Sequence, residues 1–336
     1  MNTNSKENFE MDGEMNTEMR IKNDIVERYA NYPVSVAWIE NIVDGQDVKD
    51  INEWAAYHQI LCDPEREVYG SSSEFHNVAA SFARENLEYW AFDIVACGLK
   101  MYPLDPDLLA DALKYGSVSR RAEKCKSYYD KISTTPKERW GWRLFVFTID
   151  YLKDSLQWTE DQGLYEATYQ KALDLSIEFQ ETLKNEERGY VAESEVHMLK
   201  ANEEAAKDAL YRGIQSVCVA PQCCLKYGDL LLKEGKYEEA IKIASLGVRA
   251  TAQDQPTSNT PYFFYLSALA EDAIIHQEAI ENPDNEGMGF KNAKRINSAL
   301  QNYAIAKALF GRTRPGYTMN IQTRESILKA VCNISE

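Results

Sequence analysis

The chain has 336 residues and a formal net charge of −16, with 53 acidic side chains against 37 basic ones. Its 44% hydrophobic content is enough for a substantial core, while 16 glycines and 10 prolines are too few for a turn-rich β architecture. No run approaches the roughly 20 apolar residues that span a bilayer, and an acidic body is a poor match for nucleic acid, whose phosphates are met by clustered Lys and Arg.

Residues 1–19 hold five acids (Glu7, Glu10, Asp12, Glu14, Glu18) against Lys6 alone, and read as a disordered acidic tail. The polar start carries no hydrophobic signal region, which predicts a cytoplasmic chain. Residues 20–66 read as an N-terminal helical cap, with Ile25, Val26 and Tyr29 on one helix face and Val34, Trp38, Ile39 and Ile42 on another. Asp44-Gly45-Gln46-Asp47 is a turn, since no further acids follow at calcium-loop positions. Ser71-Ser72-Ser73 with Glu74 predicts a helix start, and helix pairs are expected over 67–316. Within them, Trp140 to Leu152 is apolar on nearly every side, predicting a helix buried in the chain's own core, with a homodimer seam as the sharper alternative. Asn282-Pro283-Asp284-Asn285 opens a loop over 282–289, and a last helix is expected at 319–332, within a C-terminal segment 317–336.

The most regular segment runs from Cys224 to Lys242, two short amphipathic stretches joined by a tight Lys233-Glu234-Gly235 turn. Ala240 and Gly247 lie seven residues apart, close to two helical turns, so both small residues share one face. The same pair recurs as Ala91 and Gly98 and as Ala206 and Gly213, the latter offset by 34 residues from Ala240 and Gly247. Small side chains there let two helices approach closely, and a unit of this kind buries its apolar face only against stacked neighbours.

Residues 224–248 resemble a tetratricopeptide repeat, with Gly228, Tyr237, Ala240 and Gly247 at favoured positions and Leu231 where an aromatic is common. Residues 75–103 are similar through Ala79, Ala91, Gly98 and Pro103, and weaker likeness extends over 106–136, 139–185, 189–221 and 261–310. The resemblance implies an all-α, right-handed α-α superhelix of about five or six helix pairs, whose first helices line a concave groove. On that basis the contact candidates are His76, Asn77 and Arg84, then Asp107 and Asp111, then Lys226, Asp229 and Lys233. Tyr262 and Tyr265 are expected as a sticky wall near the C-terminal end. Family members that grip a chaperone's C-terminal carboxylate use Asn, Lys and Arg in the groove; Asp229 stands where asparagine is needed, which argues against that role.

Catalytic and metal constellations are thin. The histidines His58, His76, His197 and His276 form no zinc arrangement, and neither a nucleophile elbow nor a phosphate loop is present. Gly287-Met288-Gly289 lacks the third glycine of a dinucleotide fingerprint. Cys62, Cys97, Cys125, Cys218, Cys223, Cys224 and Cys332 are an odd, scattered set, read as buried thiols rather than disulfides or metal ligands. No metal or cofactor is expected. Residues 291–336 carry +6 and the remainder −22, a body that steers basic proteins toward itself.

The expected function is therefore a non-enzymatic scaffold whose acidic groove binds a segment of a basic partner protein, without nucleic acid or membrane. A ligand- or peptide-gated regulator of an effector is the alternative, and an enzyme on an α-α scaffold using Asp107, Asp111 and Asp150 is a third class.

Overall fold

The computed structural model describes residues 72–84, 86–118, 122–251, 257–281, 293–311 and 313–332. The expected tail over 1–19, the cap over 20–66 with its turn at 44–47, and the loop over 282–289 lie outside the described residues. Among the described residues the fold is all α, with thirteen α-helices and no strand. In chain order these are α1 (Ser72–Arg84), α2 (Glu88–Met101), α3 (Pro106–Val118), α4 (Ala122–Ser133), α5 (Trp142–Leu156), α6 (Gln162–Thr182), α7 (Arg188–Met198), α8 (Glu203–Ser216), α9 (Pro221–Lys233), α10 (Tyr237–Thr251), α11 (Thr260–Glu281), α12 (Ala293–Phe310) and α13 (Pro315–Val331).

The chain forms two compact units, residues 1–151 and 152–336, and α5 runs through the boundary. Within the first unit, α1 packs on α2, α2 on α3 and α3 on α4, and α1 also meets α3. The second unit repeats the arrangement: each helix from α6 to α13 packs on the next, while α7 meets α9, α9 meets α11 and α11 meets α13. Within α1–α4 and within α6–α13 each helix thus touches its successor, and the alternate helices α1 and α3, and α7, α9, α11 and α13, also meet. That is how helical hairpins stack.

Local sequence sets the boundaries. Asp161 accepts a hydrogen bond from Leu164 N at 2.6 Å to start α6, and Asn202 accepts one from Ala205 N at 3.3 Å to start α8. The α9–α10 turn closes through Gly235 at φ 74°, a left-handed conformation that glycine adopts without Cβ strain. Helix α9 is capped from a distance. Ala220 has no capping oxygen, and Glu187, from the preceding hairpin, accepts from Gln222 N at 2.8 Å and Cys223 N at 3.0 Å. Pro221 has no N–H to satisfy, so one buried carboxylate covers the next two donors. Burial holds the Glu187 pKa above its ordinary value despite those bonds.

The small-residue seam is where the hairpins close. Ala91, Ala206 and Ala240 are fully buried. A Cβ on Gly98 would lie 2.9 Å from Phe75, one on Gly213 would lie 2.7 Å from Cys223 Sγ and 2.9 Å from Tyr190, and one on Gly247 would lie 2.0 Å from the Phe263 ring. Each glycine makes room for a side chain of a facing helix. Phe263 is fully buried, and burying a side chain of that kind is worth roughly 1.5–3 kcal/mol of apolar transfer in all.

Two expected boundaries shift. The apolar run forms a helix, but α5 starts at Trp142 and continues to Leu156. Trp140 precedes it in extended backbone after a single 3-10 turn (Lys137–Arg139), with its ring 5.0 Å from Phe145 and the Lys137 ammonium 4.7 Å over it. Leu144, Phe145, Thr148, Ile149 and Leu152 are buried within the chain, and Trp142 is exposed. The last helix begins at Pro315 rather than 319, because proline is tolerated in a first turn, where its missing N–H has no intrahelical partner. Among the described residues, no helix is long and apolar enough to cross a membrane.

Candidate functional site

In the first unit, three helices converge on Asp111. Its side chain, on α3, is fully buried. Oδ2 accepts from His76 Nδ1 of α1 at 2.5 Å, and Oδ1 accepts from Arg143 Nη2 of α5. Arg143 Nη1 lies 3.2 Å from both ring nitrogens of His76, which places the guanidinium across the imidazole, and 3.4 Å from Asp107 Oδ1. Burial raises the Asp111 pKa, and the bonds and charges of His76 and Arg143 reduce that rise without cancelling it. One turn on, burial and the Asp111 charge push the Tyr115 phenol up to about 12. Chemically the cluster is a buried carboxylate that fixes the His76 ring through Nδ1–H and holds three helices in register.

The structure therefore brings His76, Asp107 and Asp111 together and leaves Asn77 and Arg84 exposed on α1 outside the cluster. Asp111 was expected as an open groove contact. It is instead sealed, because the α3 face that carries it is the one covered by α1. Of the cluster only Asp107 stands well out in solvent, at 67% side-chain exposure.

In the second unit, Glu195 on α7 is a carboxylate held between two other helices. It accepts from Lys153 Nζ of α5 at 2.6 Å and pairs with Lys226 Nζ of α9 at 2.9 Å. Burial acts to raise the Glu195 pKa, but the two ammonium groups outweigh it and the net shift is downward. Asp229, three residues beyond Lys226, is exposed to solvent. Its pKa is nonetheless raised by the protein mass around it, with Lys233 and Lys226 pulling the other way. Met198 of α7 is also exposed on this unit.

Further polar contacts pin the helices of this unit. Arg212 of α8 donates to Glu193 Oε1 at 2.7 Å, and Gln180 of α6 donates to Glu193 Oε2 at 2.7 Å. Lys207 bridges Glu204 and Glu234, each at 2.5 Å. Cys223 and Cys224 are buried, and burial first, then the Glu187 charge, push the Cys224 thiol up to about 11. These are packed thiols. Among the described residues, no group of three or more His, Cys, Asp or Glu is placed to hold a metal ion.

Tyr262 and Tyr265 do not form an open wall. Tyr262 stands edge-on to Phe310 at 4.9 Å and to Tyr317 at 5.2 Å, and Tyr265 lies 5.7 Å from Tyr317. Phe310 and Tyr317 stack at 4.8 Å. The aromatic side of α11 is thus covered by the end of α12 and by α13, and the two tyrosines belong to a terminal core.

Sequence reasoning missed Arg143, Lys153 and Glu195. Glu195 had a readable signal: it lies 34 residues before Asp229, and the buried Ser194 lies 34 before the buried Gly228. Arg143 was hidden inside an apolar run.

No family model matches the sequence, and no curated protein matches it. Among solved structures, the chain is similar to a thermophilic tetratricopeptide repeat protein of Thermus thermophilus, at 12% identity over 61% of this chain and 100% of that one, with a TM-score of 0.45. It is also similar to pilF of Pseudomonas aeruginosa, at 14% identity over 75% of this chain and 96% of that one, TM-score 0.45. A tetratricopeptide repeat protein of Parabacteroides merdae is similar at 10% identity over 93% of this chain and 98% of that one, TM-score 0.45. On the chain's own geometry, with its stacked hairpins, Ala-Gly seam and 34-residue offset, the repeated unit is a tetratricopeptide-like helix pair.

Proposed function

We propose that the chain is a non-enzymatic protein-interaction scaffold, and that the face built by the first helices of the second unit receives a segment of a partner protein. The observation that carries this reading is the ladder Lys153–Glu195–Lys226. It links three alternate helices across one face and leaves Asp229 open beside it. A surface that crosses successive hairpins suits an extended or helical segment, because each hairpin supplies one set of contacts at a fixed spacing.

The acidic body steers a basic partner toward the chain. At the face itself both signs alternate, so the two lysines fix register against acids of the incoming segment while Glu195 and Asp229 meet its basic groups. The test is affinity capture from host lysate with the wild type and with a Glu195→Lys/Asp229→Lys variant, at low and high salt. The reading expects a partner retained by the wild type at low salt, weakened by salt, and lost by the variant. A partner captured equally by both proteins would move the interaction off this face.

A further inference from the structure

A cavity of about 440 Å³ opens at the C-terminal end of the second unit, between the start of α10, the second half of α11 and α13. That volume is in the range of small-molecule sites. Its walls combine opposite charges with apolar surface. Arg324 of α13 is half exposed, and its Nη1 lies 3.7 Å from Asp272 Oδ2. His276 projects beside it from α11 and is a third exposed. Glu281 provides a carboxylate from the end of α11, held by Gln277 Nε2 at 3.0 Å. Tyr237, Ala273 and Ile280 supply the apolar part, and Ile280 is 79% exposed although nothing polar recommends that position to isoleucine.

Beneath the wall sits Asp272, its side chain 2% exposed. Oδ2 accepts from the Tyr303 hydroxyl at 2.9 Å. Oδ1 is buried without a hydrogen bond, although His276 Nδ1 is 2.8 Å away, because that nitrogen directs its proton to the Asp272 backbone carbonyl at 2.9 Å. Two consequences follow. The proton is fixed on His276 Nδ1, so Nε2 is the nitrogen left for the cavity. The Asp272 charge also draws the Arg324 guanidinium to the same wall.

We infer that this cavity binds a free apolar α-amino acid. Its carboxylate would meet Arg324, its ammonium would donate to Glu281 and to His276 Nε2, and its side chain would lie on Ile280, Ala273 and Tyr237. A single guanidinium backed by a buried carboxylate matches one negative charge. A phosphate would bring a second charge against Asp272 and Glu281, and a simple carboxylic acid would leave Glu281 unmatched. The site shares no residue with the Lys153–Glu195–Lys226 ladder of the interaction face proposed above, so it stands or falls separately.

The test is isothermal titration calorimetry on the full chain with L-leucine and L-phenylalanine at up to millimolar concentration, alongside leucinamide and the deamino acid of leucine. Saturable heat is expected for at least one amino acid. It should weaken about tenfold or more when the carboxylate is amidated, when the ammonium is removed, and in Arg324→Gln or Glu281→Gln, the loss typical of a charge-assisted hydrogen bond. Ile280→Asn, at a position too exposed to unfold the chain, should weaken it as well. Absence of saturable heat with both amino acids overturns the proposal. So does undiminished binding in Arg324→Gln, or a deamino acid that binds as well as leucine.

Discussion

Asp111 in the first unit and Glu195 in the second are both carboxylates on a first helix of a hairpin, each held by two basic partners from neighbouring helices. Their pKa values nevertheless move in opposite directions, up for Asp111 and down for Glu195. The difference lies in the partners. Burial is the largest influence on both carboxylates and pushes both upward, but Glu195 is met by two ammonium groups, whereas Asp111 is met by one guanidinium and one imidazole. The Glu195 side chain also remains 35% exposed, while that of Asp111 is fully buried. The first arrangement suits a structural pin and the second a surface that can exchange partners.

The largest effect expected from this contrast is at Asp111. Replacing it by Ala leaves Arg143 and His76 facing a partly buried gap, and should cost about 3–5 kcal/mol, the loss seen when one member of a buried pair is removed. Urea denaturation measures it, and a loss no larger than that of Glu195→Gln would erase the distinction between the two sites. Next comes the seam: Gly247→Leu drives a side chain into the Phe263 ring and should cost about 1–3 kcal/mol or more. Gly141→Ala, where a new Cβ meets nothing within 4 Å, should leave the melting temperature unchanged.

The pH response sharpens the comparison further. Glu195 has a folded pKa below its ordinary value, so its contribution is present above the unfolded glutamate pKa and disappears as pH falls through the folded one. The stability gap between wild type and Glu195→Gln should therefore be about 0.5–1 kcal/mol at neutral pH, limited by solvent exposure, and close on acidification. Asp111, with a raised pKa, behaves in reverse: its ionised form costs stability at neutral pH, and that cost is relieved as pH falls through the raised value toward the ordinary aspartate range. A small effect, a few tenths of a kcal/mol, is expected for Lys226→Ala, because Lys226 is 44% exposed.

The repeat itself was legible because spacing carries it. Ala206 to Ala240 and Gly213 to Gly247 recur at one offset, and the seam needs small residues wherever a facing ring enters. The burial of Asp111 was not legible, since helical spacing places Asp107 and Asp111 on one face without saying that α1 covers one and leaves the other open. Tyr262 and Tyr265 misled for a related reason. Their partners Phe310 and Tyr317 lie some 45 to 55 residues away, and only the fold of α13 onto α11 turns an apparent wall into a core. Glu195 could have been found by carrying Asp229 back one repeat. Arg143 could not, because a lone arginine in an aromatic helix reads as a helix end at the surface until its buried partner is known.

The most direct test of the interaction face is site-specific photo-crosslinking. A photoreactive residue is placed at Asp229, on the proposed face, or at Arg249, exposed on α10, and each variant is incubated with host lysate and mapped by mass spectrometry. The account predicts one partner crosslinked through a contiguous segment from position 229 and not from 249. Crosslinks from 249 alone, or none from 229, would contradict it.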